Sequence, residues 1–131
     1  MKTKQQPEFA LQCQVSAYME VAHPKIIYRS DTVSFVKLTA PQAMRNKKVQ
    51  KNGFKFPDIE IYEPRSNYAG LMIELKAETP YKKDGTLKAN PHVEEQAKCM
   101  QILERKGYKC TFCWSFDQFV NILNDYLKCC Q

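Results

Sequence analysis

What the chain lacks narrows its class first. No apolar run approaches the ~20 residues that a membrane-crossing helix needs, and no basic helix carries the aromatic stripe of a segment that lies on lipid, so no membrane association is expected. The opening "MKTKQQPEF" is polar and no apolar h-region follows, so an intracellular protein without a secretory leader is expected. Repeats, low-complexity tracts and linker-like stretches are absent, which leaves one domain over residues 1–131. In an intracellular setting the six cysteines are expected to be reduced. Cys110 and Cys113 form a C-x-x-C, and Cys129 and Cys130 stand near the end, a pattern that invites zinc. Yet "YKCTFCW" is strand-like, no turn residue separates the two thiols, and alternation sends positions 110 and 113 to opposite faces. Small buried or surface thiols are the plainer reading.

What is present fits a folded, basic domain. A chain of 131 residues can bury one sizeable core. Its 44% apolar and 26% charged content sets it apart from disordered chains. The net charge of +6 suits a polyanionic partner, nucleic acid being the commonest, although mild basicity also aids solubility.

The pattern of elements is mixed. Residues 7–21 read as a helix, with Leu11, Val15, Tyr18 and Met19 forming an apolar stripe and Pro7 and Glu8 in the first turn. "KIIYR" and "VSFVKL" are strand candidates, and the pattern does not say which joins the main sheet. Thr39 caps a helix that ends before Gly53 and carries Arg45, Lys47, Lys48 and Lys51 on its polar face. Two extended runs around the turn-rich "EPRSNYAG" read as a hairpin over residues 56–78. The polar "TPYKKDGTLKANP" reads as a long, mobile loop. A helix follows, with Asn90 as cap, Pro91 at its first position and Gly107 just past its end. After the "YKCTFCW" strand, Ser115 and Gln118 form a capping box for a last helix that buries Phe119, Val120, Leu123 and Leu127. The expected fold is α/β, a central mixed β-sheet of four or five strands flanked by helices.

The hairpin carries the chemistry. If it is symmetric about Ser66, Asp58 and Glu74 face each other on one side, and Lys76 shares that side. Leu71, Ile73 and Leu75 then point to a core. Opposed carboxylates repel at neutral pH. A divalent cation between them removes the repulsion, and hard oxygen ligands favour Mg2+ or Mn2+. Such an ion keeps positions for water and a phosphate oxygen, and Lys76 can orient the water or offset developing charge. Alternating polar residues on a strand are ordinarily just a solvated face. Gln96 speaks for a site, because it sits on the buried stripe of Val93, Ala97, Met100 and Leu103, where an amide needs partners; at the stripe's edge it would simply reach solvent. Glu8 overlaps the apolar face of the first helix and can point into the same cleft, or serve only the helix dipole.

"PD" at Pro57-Asp58 and "ELK" at Glu74 to Lys76 resemble the PD-(D/E)XK nuclease motif. The wider order resembles the VRR-NUC family of virus-type replication-repair nucleases: Gly53 before "FPDIEIY", then "AGLMIELKA", "EEQ" ending at Gln96, and "ERKGYKC" leading into a strand. The likeness runs from "EFALQCQVSAYM" to the last helix. It implies a restriction-endonuclease-like α/β core. It implies that Asp58, Glu74 and the main-chain carbonyl of Leu75 ligate Mg2+ or Mn2+, that Lys76 is the catalytic lysine, and that Gln96 is the accompanying helix glutamine. Glu8 would match the acidic residue of the first helix, which bears on the metal through water. Phe56 departs from the pattern, standing where a glycine is common, and the loop before the helix is long.

The resulting expectation is a metal-dependent endonuclease acting on DNA, structure-selective for branched or junction substrates, with Arg45, Lys47 and Lys48 on backbone phosphates. Small stand-alone members of that family tend to form homodimers, and a viral member would act in the cytoplasm of its host cell. A non-catalytic DNA-binding or assembly module on the same fold is the alternative.

Overall fold

The stripe of Leu11, Val15 and Met19 lies on α1 (Gln6–Ala22), with all three side chains buried. The structure, a computed structural model, describes residues 6–33 and 36–128. Next in the chain come β1 (Tyr28–Ser30), α2 (Ala40–Val49), β2 (Ile59–Ile61), β3 (Gly70–Leu75), α3 (Pro91–Arg105), β4 (Tyr108–Cys113) and α4 (Phe116–Lys128). The strands form a four-stranded mixed sheet in the order β1-β2-β3-β4. The β1–β2 and β2–β3 pairs are antiparallel, whereas β3 and β4 run parallel and are joined through α3.

Each face of the sheet has its own core. On one side Ile59, Ile61, Leu71 and Ile73 pack with α1 and with Phe119 and Leu123 of α4. On the other, Met72, Cys110 and Phe112 pack with Val93 and Met100 of α3. All six residues of β3 are therefore buried, which is why "GLMIEL" is apolar on both faces apart from Glu74. The β2 backbone comes so close to Gly70 that an added Cβ would lie 2.7 Å from the Ile61 carbonyl oxygen. Helix ends follow the sequence signals. Thr39 and Gln42 form a full capping box on α2, and Asn90 Oδ1 accepts from the His92 and Val93 amides. Gly107 takes φ +103° just beyond α3, in the left-handed region.

Four local expectations change. Among the described residues of 33–38 there is no strand, and residues 34 and 35 lie outside the description. Asp31 accepts the Val33 amide on its side chain, a turn that ends β1 and leads the chain off the sheet. The loop over residues 79–90 is pinned rather than loose. Tyr81 bridges Leu87, and its ring meets Phe112 and Trp114 edge-on, so the loop extends the second core. In α4, Tyr126 is buried, with Val120 and Leu127 only half-buried, because its hydroxyl donates to the Glu63 carbonyl (2.7 Å). At the start of α4, Ser115 Oγ accepts the Gln118 amide, but the Gln118 side chain accepts from Trp114 N–H, one residue before the cap.

Cys110 lies in the α3-side core and Cys113 in the opposite one, on opposite faces of β4. Burial pushes the Cys110 thiol up to about 12 and raises that of Cys113. Cys13 is exposed, and Cys129 and Cys130 lie outside the described residues. Iodoacetamide mapping of the native protein by mass spectrometry is expected to label Cys13 within minutes. Cys110 and Cys113 are expected to react only on unfolding; rapid native labelling of both would contradict the two-core arrangement.

Candidate functional site

The β2–β3 register places Ile59 opposite Ile73 and Ile61 opposite Leu71. One step further along the ladder, Asp58 stands opposite Glu74. Side chains alternate along β3, so Leu71, Ile73 and Leu75 enter the α1/α4 core while Met72 and Glu74 turn towards α3. Glu74 is thus a carboxylate at the end of an apolar row, only 5% exposed. It is not part of a solvated face.

Its partners are specific. Gln96, buried in the second turn of α3, donates from Nε2 to Glu74 Oε1 (2.7 Å). Asp58 Oδ2 accepts the main-chain N–H of Leu75 (2.8 Å). Burial, then the neighbouring Asp58 charge, pushes the Glu74 carboxyl up to about 10. Burial also raises Asp58, although its hydrogen bond with Glu74 and the Leu75 amide oppose the rise. Two close carboxylates in this setting favour holding one proton between them.

Lys76 follows on the same side. Its ammonium stands over the Phe112 ring at 5.9 Å, and Phe112 is the β4 residue in register with Glu74. Glu8 reaches this end of the sheet from the first turn of α1. Burial raises its carboxyl, with Lys76 opposing and Asp58 adding to the rise. Glu8, Asp58, Glu74, Lys76 and Gln96 all line one cleft of about 870 Å3. Leu75 lines it too, and since its side chain is 2% exposed in the core, it is the main chain that it offers there. Because α3 returns the chain from the end of β3 to the start of the parallel β4, its N-terminal turns lie at this end of the sheet. Their positive dipole end favours anions.

The cationic residues divide. Arg45, Lys47 and Lys48 are exposed on α2, which has no buried residue, and they are not part of the cleft wall. Lys51, just beyond α2, is part of it, as are Lys55, Arg29 and His92. Burial, then Lys76 and Lys55, lowers the His92 pKa, which keeps its ring neutral at neutral pH. Sequence reasoning passed over Lys55, Arg29, His92 and Asp31. Asp31 continues the β1–β2 ladder, its N–H donating to the Asp58 carbonyl (2.8 Å), and its charge adds to the rise in Asp58. Buried Gln12 of α1 donates to the Asp31 carbonyl (2.8 Å) and fixes that strand end. Only the "RSD" after the first strand candidate signalled Asp31, and nothing local gave its register. Glu60 is paired with Arg29 (3.8 Å) in the cleft, whereas Glu78 pairs with Lys88 (3.9 Å) of the loop.

The donor set bears on metal binding. Among the described residues no group of three or more His, Cys, Asp and Glu could hold an ion by side chains alone. Two carboxylates and a main-chain oxygen suit a hard cation that retains water, as Mg2+ and Mn2+ do, and not zinc. The buried Gln96 Oε1 has no hydrogen-bond partner among the described residues. A water retained by such an ion would satisfy it. The residues present therefore fit a hydrated divalent cation.

The shared proton has a thermodynamic signature. Unfolded Glu74 ionises near the ordinary glutamate value of 4.5, whereas the folded group holds its proton to about 10. Between those values the folded state binds more protons, so stability is full below pH 4.5 and falls as pH rises through the window. In metal-free buffer, Glu74→Gln is expected to flatten that decline. Melts at pH 8 should show the variant at least ~1 kcal/mol more stable than wild type, with the two converging near pH 4. A variant less stable at pH 8 would remove the protonated pair.

Comparisons with known proteins bear on the fold. No family model matches the sequence, and no curated protein matches it. Among solved structures, a VRR_NUC domain protein superposes with a TM-score of 0.62 over 92% of this chain and 88% of its own, at 21% identity. The match extends along nearly the whole chain: this protein has the fold of a VRR_NUC domain protein, as the motif resemblance implied.

Proposed function

We propose that the protein is a divalent-metal-dependent endonuclease that hydrolyses DNA phosphodiester bonds, selecting branched or junction DNA by structure. One observation carries the reading: buried Glu74 stands opposite Asp58 and close to Lys76, in a cleft that Arg29, Lys51 and Lys55 also line. A carboxylate is costly to bury without a compensating charge. No fold requirement accounts for Glu74 near the end of the sheet's most buried strand.

In this reading Asp58, Glu74 and the Leu75 carbonyl hold Mg2+ or Mn2+. When bound, the ion supplies Lewis acidity at a phosphate oxygen and eases deprotonation of its water. The protein's own groups do the positioning. Lys76 Nζ donates to the attacking water or to a non-bridging phosphate oxygen, and Phe112 steadies the ammonium. Gln96 holds Glu74 through Nε2 and presents Oε1 as an acceptor to water. Glu8 bears on the same water layer from α1. The first turn of α3 lowers the cost of bringing an anion to this end of the sheet.

Arg45, Lys47 and Lys48 would take backbone phosphates on the exposed face of α2, with Lys51 and Lys55 continuing the track into the cleft. Such contacts position DNA without reading its sequence. Two copies about a two-fold axis would place two such clefts on the arms of one junction, which is the reason to propose a homodimer.

Wild type with Mn2+ is expected to nick supercoiled or branched DNA. Lys76→Ala is expected to bind the same DNA and cut it at least about 100-fold more slowly; equal nicking by the two would remove Lys76 from the reaction. Replacing both Lys47 and Lys48 by Ala is expected to lower the slope of log affinity against log salt by about 2. An unchanged slope would take the α2 face out of the DNA contact.

A further inference from the structure

Two aromatic rings stand in the cleft wall where the fold does not need them. Phe54 and Phe56 lie between Gly53, at φ +73°, and buried Pro57, and both line the cleft that holds Asp58 and Glu74. Their ring centroids are 4.9 Å apart at 60°. Phe56 is 44% exposed and belongs to neither core. The segment is fixed in place, because the Lys55 amide donates to the buried Cys99 Sγ of α3 (3.3 Å). The same wall carries Lys51 and Lys55, so cations and rings alternate along it.

We propose that Phe56, backed by Phe54, is a stacking platform for an unpaired DNA base beside the scissile phosphate, with Lys51 and Lys55 holding the flanking phosphates. Cationic side chains interleaved with exposed rings are what single-stranded nucleic acid binds, since every base offers a π-face and the lysines follow the backbone. A base inside a duplex has both faces covered by its neighbours and cannot use the ring. The platform therefore distinguishes DNA with an unpaired base near the cut site from continuous duplex. Phe56 is two residues from Asp58, at most ~7 Å along the backbone, so the stacked base belongs to a nucleotide next to the one being cut. This inference rests on the nuclease reading and names the feature of branched DNA that the site recognises.

The test measures binding in EDTA, where no cleavage is required. A forked DNA with a single-stranded tail and a blunt duplex of the same length are titrated by fluorescence anisotropy, and one abasic site is scanned along the tail. Wild type is expected to prefer the fork, and to lose roughly 5- to 100-fold in affinity when the abasic site falls at one tail position near the junction. Phe56→Leu, which keeps apolar bulk and loses the flat face, is expected to lower the fork-to-duplex ratio by a similar factor and to bind the abasic and intact forks equally. Phe56→Tyr is expected to restore both preferences. An abasic penalty that persists in Phe56→Leu would overturn the platform, as would a fork-to-duplex ratio the same as wild type. Cleavage with Mn2+ is scored separately. Wild-type cleavage with a Phe56-independent ratio would sink the platform alone; a Phe56-dependent ratio without cleavage would sink only the nuclease reading.

Discussion

The pairing of β2 with β3 fixes everything at this end of the molecule. Its register puts Ile59 against Ile73 and, one step on, Asp58 against Glu74. Slipping it by one residue would turn Glu74 into the α1/α4 core and carry Ile73 out of it. Four isoleucine and leucine side chains buried at 0% exposure resist that slip, so the hydrophobic core holds two carboxylates in opposition that would otherwise separate. Gly70 permits the close approach of the two strands, and Gln96 and the Leu75 amide direct the carboxylates once they are there.

That arrangement explains the polarity of the cleft. The α3 side of the sheet is apolar under Met72, Met100 and Phe112, then becomes ionic at Glu74 and Lys76, where the first turns of α3 begin. The boundary is sharp because β3 ends there. Beyond Leu75 the chain leaves the sheet, with the Lys76 amide still bonded to the Cys113 carbonyl (2.8 Å). Lys76 is thus partly anchored through its backbone while its side chain stays available to the cleft. A shared proton relieves the carboxylate pair when no cation is bound. The proposed chemistry follows from exchanging that proton for a metal ion.

The sequence showed this site more clearly than it showed its surroundings, and the reason is the distance along the chain. Asp58, Glu74 and Lys76 belong to one hairpin, whose turn residues give the register by symmetry about Ser66. Gln96 was visible because its helix has clear ends at Asn90 and Gly107, so its place on the buried stripe could be counted. Asp31 was not, since β1 meets β2 only after a connection that includes α2, and no local rule gives the register across it. Val33 and residues 36–38 of the second strand candidate, the part that the structure describes, are in no strand: their β propensity is outweighed by the Asp31 turn. The loop after β3 looked mobile by composition, yet two apolar residues in it, Tyr81 and Leu87, were enough to tie it to a core. The cleft wall of Lys51, Phe54, Lys55 and Phe56 follows from a tertiary contact, the Lys55 amide on Cys99, that neither segment announces.

The central claim is that the Asp58–Glu74 pair is the seat of a divalent cation, and thermal unfolding with and without Mn2+ tests it most directly. A cation that binds only the folded state raises the melting temperature in step with its occupancy. Wild type is predicted to melt several degrees higher as Mn2+ is raised to saturation, and Glu74→Ala to show no Mn2+-dependent rise. A wild-type melting temperature indifferent to Mn2+, or an equal rise in Glu74→Ala, would contradict the account.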